Sequence, residues 1–183
     1  MQQSQPADNL IRIGVSSCLL GQKVRFDGGH KQDRYLTDTL GRYFEWVAVC
    51  PEAELGLGTP REPIRLVQST DSPRLLTTRT DVDLTRRMRA FARRRVSELA
   101  KEGLCGYVLK KDSPSCGMQR VKIHQEKGPP KRSGVGLFAE ALRERLPSLP
   151  VEEEGRLCDA KLRECWVERV CAYLALRNLW SGR

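Results

Sequence analysis

Residues 10–18 read LIRIGVSSC, an apolar run rich in β-branched side chains that breaks off at a Ser-Ser-Cys turn. Two later stretches repeat that plan. FEWVAVC at 44–50 is strand-like up to Cys50 and is stopped by Pro51, which cannot donate to a sheet ladder. LCGYVLK at 104–110 is strand-like and runs straight into DSPSCG, which carries Cys116. Helical spacing fills the intervals. Residues 33–43 offer Tyr35, Leu36, Thr39, Leu40 and Tyr43 to one face. Residues 83–101 form the clearest amphipathic helix: Leu84, Met88, Phe91, Ala92, Val96 and Leu99 share a stripe, and Gly103 follows its end. Further helices are expected over 136–146 and 158–180, with a short edge strand opening at Pro150 and Val151. The proline-rich 51–81 region reads as loop, with one hairpin through RLVQSTDSPRLLTT.

Strands alternating with helices predict a single α/β domain, Rossmann-like and three-layered, with a mainly parallel sheet. We divide the chain into a disordered lead-in at 1–9, the α/β domain at 10–156 and a C-terminal helix at 157–183. The 183 residues suffice for one buried core and are too few for two ordinary domains. No apolar run approaches a membrane span, and MQQSQPADN has neither the basic nor the apolar region of a signal peptide, so a cytoplasmic protein is expected. Seven cysteines, an odd number without regular spacing, argue in that compartment for thiol chemistry over a disulfide framework. Cys105, Cys158, Cys165 and Cys171 read as packing residues. The net charge of +9 favours an anionic partner: RNA, DNA or a phosphorylated small molecule. Arg86, Arg87, Arg89, Arg93 and Arg94 lie opposite the apolar stripe of their helix, where they form a solvated face or an RNA contact.

Cys18, Cys50 and Cys116 each follow a strand, so a parallel sheet would bring them to one edge. Three thiolates from separate loops suit an iron–sulfur cluster with one iron lacking a protein ligand, and equally a tri-cysteine zinc site. Coincidence is as open from spacing alone. The absence of any C-x-x-C pair argues against a ferredoxin-type run or a zinc ribbon.

The surroundings of these cysteines are more specific. SCLLG at 17–21, VRFDGGHK at 24–31, Cys50-Pro51-Glu52, GTPREP at 58–63 and SPSCGM at 113–118 occur in one order, and the chain with them resembles the thiouracil desulfidase (TudS) family from about residue 13 to 173. LCDAKLRECWVERVCAY at 157–173 is similar to the segment that leads into a second domain in family members acting on 4-thiouridine in tRNA. The resemblance implies a [4Fe-4S] cluster on Cys18, Cys50 and Cys116, with Glu52 and Ser113 at catalytic positions. It implies non-redox, hydrolytic desulfuration of a thiolated uracil base, nucleoside or tRNA: the open iron polarises C=S, and water held by Ser113 and deprotonated by Glu52 attacks the ring carbon.

Beside that reading, Arg25, Asp27, His30 and Lys31 in the Gly-rich loop, Arg61 between two prolines, and Ser115 are candidate substrate contacts. The plainer alternatives are a surface carboxylate for Glu52, a turn cap for Ser113 and Ser115, and an internally bonded turn for Asp27. Glu54 falls outside the Cys-Pro-Glu match, and His124 reads as a strand or surface residue. Two other classes compete: a non-catalytic RNA-binding module with zinc on the cysteines, and a redox enzyme, which would need a fourth ligand that no motif supplies.

Overall fold

A computed structural model describes residues 10–70 and 72–180, so the expected lead-in at 1–9 lies outside the described residues. Three of the strands read from sequence lie side by side in a parallel sheet. They are β1 (Ile11–Ser16), β2 (Phe44–Val49) and β5 (Gly106–Leu109), joined at the edge by β8 (Val151–Glu153) in the order β2-β1-β5-β8. Every residue of β5 is buried, as expected for a strand covered on both faces.

The expected mainly parallel sheet is therefore present, and a second four-stranded sheet, mixed in direction, adds to it. The hairpin read at 65–78 is β3 (Ile64–Val67) with β4 (Arg74–Thr77), and β3 continues through β6 (Val121–His124) to β7 (Lys131–Gly134). Neither β6 nor β7 was legible. KRSG in β7 has no apolar face, because an edge strand buries little.

Helix α2 (Thr85–Leu99) joins the two sheets by splitting its stripe. Leu84, Met88 and Phe91 pack on Leu66, Leu75 and Ile123 of the second sheet. Ala92, Val96 and Leu99 pack with Tyr107 and Leu109 of the first, together with Phe138 and Leu142 of α3 (Leu137–Arg145). The opposite face of the parallel sheet is covered by α4 (Ala160–Trp180) and by the short turns at Ser17–Leu20 and Tyr35–Arg42. The stretch expected as one helix at 33–43 is instead a π-helical turn, Tyr35–Thr39, followed by a 3₁₀ turn, Leu40–Arg42. Pro51 does end β2, but it also starts α1 (Pro51–Glu54), since a missing N–H costs nothing at the first helical position.

Helix α4 is not an appendage. Trp166 is 1% exposed, donates to the Pro150 carbonyl at 3.2 Å and meets Phe44 edge-on with centroids 5.9 Å apart. Trp166→Ala should cost ~3–5 kcal/mol. Read by thermal unfolding, that is a fall of about 6–20 °C for a domain of this size. The cysteines on and before this helix correct the sequence reading. Cys158, Cys165 and Cys171 are exposed, and only Cys105 is a buried packing residue. Trp166 and Val170 supply the buried face, and the apolar residues around the rest of α4 obscured which side that was.

Candidate metal centre

Because β1, β2 and β5 are adjacent and parallel, their carboxyl ends fall on one sheet edge. Cys18 lies in the turn after β1, Cys50 directly after β2, and Cys116 in the loop after β5, and all three line one cavity of about 400 Å³. The thiols are more enclosed than side chains standing clear of the sheet would be. Cys18 also touches the α4-side core and Cys116 the α2/α3-side core, while Cys50 is half-buried.

Burial pushes the Cys18 thiol up to about 11, with a further upward push from Cys50. Burial likewise raises Cys50, and it raises Cys116 far above the ordinary thiol range, where Glu52, Cys50 and Cys18 add to it. Burial keeps these thiols protonated, and the thiolates they form on deprotonation would raise one another further, so a cationic group bound among them would stabilise that form. Among the described residues no three His, Cys, Asp or Glu side chains gather closely enough for a single metal ion. A lone zinc needs all its sulfurs at one centre, whereas a cubane spreads them over separate irons. Three thiols that separate loops bring to one cavity suit such a cubane.

The backbone around each thiol is held locally. The Cys18 carbonyl accepts from Lys31 N at 2.9 Å, which folds the Gly-rich loop back over the first cysteine. Cys50 N donates to Glu54 Oε1 at 3.0 Å, and Glu54 Oε2 pairs with Arg95 of α2 at 3.0 Å. Glu54, set aside from sequence, therefore fixes the Cys50 turn. Ser113 Oγ accepts from Ser115 N at 3.2 Å and Cys116 N at 3.1 Å, the geometry of a turn cap that leaves its own O–H free for a cavity ligand.

The loop of Cys116 also serves α3. Leu137 N donates to the Pro114 carbonyl at 3.2 Å and Phe138 N to the Ser115 carbonyl at 2.9 Å, while Gly136 N donates to the Gly117 carbonyl at 2.8 Å. First-turn amides that a helix leaves without internal partners are thus satisfied by the cysteine loop, with no side-chain cap. A Cβ on Gly136 would stand 2.5 Å from the Ser115 carbonyl carbon and oxygen, so only glycine permits this approach.

Glu52 lies on the cavity wall. Its Oε2 accepts from Arg61 Nη2 at 2.7 Å and Nε at 3.1 Å, and its Oε1 accepts from Ser115 Oγ at 2.8 Å. Arg61, with a side chain only 6% exposed, also donates through Nη1 to the carbonyls of Val24 and Gly58 at 2.9 Å each. One guanidinium thus ties the first-cysteine loop, α1 and the 58–61 turn together.

The structure brings Cys18, Cys50, Cys116, Glu52, Ser113, Arg25, Lys31 and Arg61 to the cavity. It does not bring three others. Ser115 is fully buried with its hydroxyl committed to Glu52, so it supports that carboxylate and does not face a substrate. Asp27 is exposed, caps Gly29 N at 3.0 Å and lies 3.5 Å from Arg25 Nε. His30 is exposed and accepts from Gln32 N through Nδ1. Both belong to the loop's own turn, the plainer reading already given for Asp27. His124 sits in β6, as read. Sequence reasoning missed Lys110, Lys111 and Asp112 as cavity residues, although they immediately precede SPSCG.

A family model described as 2-thiouracil desulfurase matches residues 13–154. A solved structure described as "[4Fe-4S]-dependent thiouracil desulfidase TudS" superposes with a TM-score of 0.68 at 31% identity, covering 85% of this chain and 97% of that one. The uncharacterised protein YbbK of Bacillus subtilis (strain 168) is 28% identical over 137 residues, 72% of this chain and 89% of that protein.

Proposed function

Since this chain belongs to the 2-thiouracil desulfurase family, we propose that it removes sulfur from thiolated uracil at a [4Fe-4S] cluster held by Cys18, Cys50 and Cys116. The observation that carries this is the convergence of three buried thiols from three parallel strand ends on one cavity, with Glu52 and Ser113 in its wall. The similar solved structure is described as depending on that cluster for thiouracil desulfuration, which supports the same assignment here.

A cluster with one iron free of protein ligands would supply Lewis acidity toward a soft thiocarbonyl sulfur. The protein's own residues do the rest. Glu52 already accepts from three donors, and an ionised carboxylate has about four acceptor sites, so one remains for the proton of a water in the cavity. Arg61 and Ser115 fix the plane of that carboxylate before substrate arrives, which is preorganisation of a general base. The free O–H of Ser113 orients the water or the developing oxo group. The cavity volume suits a pyrimidine base with part of its ribose. Arg25 and Lys31 at the wall contact the rest of the substrate, and Asp27 and His30 act on it through the shape of their loop.

We assign 4-thiouridine in tRNA as the first substrate and free 2- or 4-thiouracil and their nucleosides as the second. Exposed Arg86 and Arg93 on α2 support an RNA contact, since phosphate neutralisation asks for cations not already paired. Among the described residues no helix is long and apolar enough to cross a membrane. All seven cysteines are free thiols, which supports a reducing cytoplasmic setting.

The test is anaerobic reconstitution, followed by incubation with 2-thiouracil, 4-thiouracil, 4-thiouridine and 4-thiouridine-containing tRNA. Loss of the near-ultraviolet thiobase band with stoichiometric sulfide is expected. A cluster-loaded protein that leaves every thiobase intact would overturn the assignment.

A further inference from the structure

Three consecutive glutamates, Glu152, Glu153 and Glu154, lie at the edge of the parallel sheet and are 7%, 6% and 8% exposed. Burying carboxylates is costly unless donors meet them, so each must be matched by a specific partner. Glu152 pairs with Arg156 of its own turn at 2.8 Å. The other two turn toward the loop that carries Cys116. Glu153 Oε1 accepts from Met118 N at 2.7 Å and from Gln119 N at 3.4 Å, just past the cysteine. Glu154 Oε2 accepts from Lys111 N at 2.8 Å, and its Oε1 takes the Lys110 ammonium, just before the loop begins. The segment between these grips contains Ser113 and Cys116 and has few other long-range anchors. Those are the bonds to α3, the Ser115 hydroxyl on Glu52, the Lys110 amide on Ser16 Oγ at 3.0 Å and the exposed pair of Asp112 with Arg132 at 3.1 Å.

We propose that Glu153 and Glu154 are positioning residues that clamp the two ends of the 110–119 segment and so hold the Cys116 thiol where the cluster requires it. Neither carboxylate lines the cavity, so neither touches substrate. Their action is through the backbone of the segment and, for Glu154, also through the Lys110 ammonium. The assignment rests on the reading of Cys116 as a cluster ligand, and its test separates the two.

Glu153→Gln keeps an acceptor oxygen at full reach and loses the charge, whereas Glu153→Asp keeps the charge and is one methylene too short for Met118 N. If the carboxylate matters as a clamp, Gln should preserve the site and Asp should not. A residue needed only for its charge would rank them in reverse. Two readouts are taken on the full chain: the rate at which iodoacetamide alkylates Cys116 in cluster-free protein, by peptide mass spectrometry, and the rate of cluster loss to an iron chelator. Asp should accelerate both by about tenfold, and Gln should stay within about threefold of the parent, because a local opening once blocked by the amide bonds becomes accessible. Equal rates for Asp and parent, or a Gln variant as labile as Asp, would overturn the clamp. Should Asp fail to fold, hydrogen exchange of the Met118 and Gln119 amides in the parent decides. Strong protection supports the clamp and free exchange refutes it. A parent chain that never takes up a cluster refutes the proposed function, while alkylation of Cys116 still decides the clamp.

Discussion

Cys116→Ser should leave a folded protein that assembles no stable cluster and desulfurates thiouracil at least ~10³-fold more slowly, a loss of about 4 kcal/mol in transition-state stabilisation. Serine preserves the volume of the side chain in a site that is 6% exposed, and it keeps the Cys116 N–H bonded to Ser113. The α3 start that rests on this loop uses backbone carbonyls only, so its support survives the exchange. What changes is the donor: an alkoxide is a far poorer partner for iron than a soft thiolate. Iron and acid-labile sulfide analysis after anaerobic reconstitution, with a thermal melt as control, reads the outcome. A variant with native iron content and native rate would remove Cys116 from the ligand set.

Glu52→Gln should lower kcat by about 10²- to 10⁴-fold, the range a positioned general base contributes, while cluster content stays at the parental level. The variant also breaks a nearly buried ion pair, since Arg61 is 6% and Glu52 15% exposed. Removing one partner of such a pair costs ~3–5 kcal/mol, so the melting temperature should fall as well. The split between the two effects is informative. A carboxylate that only anchors Arg61 would lose stability, and with it iron, in step with rate. A base would lose rate in the fraction that still holds iron. Single-turnover kinetics normalised to iron distinguishes the two.

The parallel sheet was legible because LIRIGVS, FEWVAV and the strand before SPSCG are continuous apolar runs closed by turn residues, and two buried faces demand that pattern. Helix α2 was legible because its burial repeats at helical spacing over fifteen residues. Of the second sheet only the β3–β4 hairpin was legible, and β6 and β7 were hidden for the converse reason. Its strands are four residues each, and β7 carries charge along an exposed edge. At the site, the motifs located the three thiols and Glu52. They did not show how the thiols are held. The partnership of Glu52 with Arg61 spans nine residues, and that of Glu153 with Met118 spans thirty-five, distances at which neither periodicity nor motif carries information. Ser115 shows the limit most clearly. It stands between Pro114 and Cys116 in the most specific motif of the chain, yet it is fully buried and its hydroxyl is spent on the Glu52 carboxylate.

The loop bearing Cys116 is at once a wall of the cavity and the seat of the first turn of α3, whose Phe138, Ala139 and Leu142 belong to the main core. Occupancy of the pocket and cohesion of the interior are therefore one linked equilibrium: whatever tightens on that wall also quiets the helix resting upon it. A molecule stripped of its prosthetic group should soften from the α3 side inward, and its resistance to proteolysis there would serve as a gauge of how much of a cellular pool is loaded.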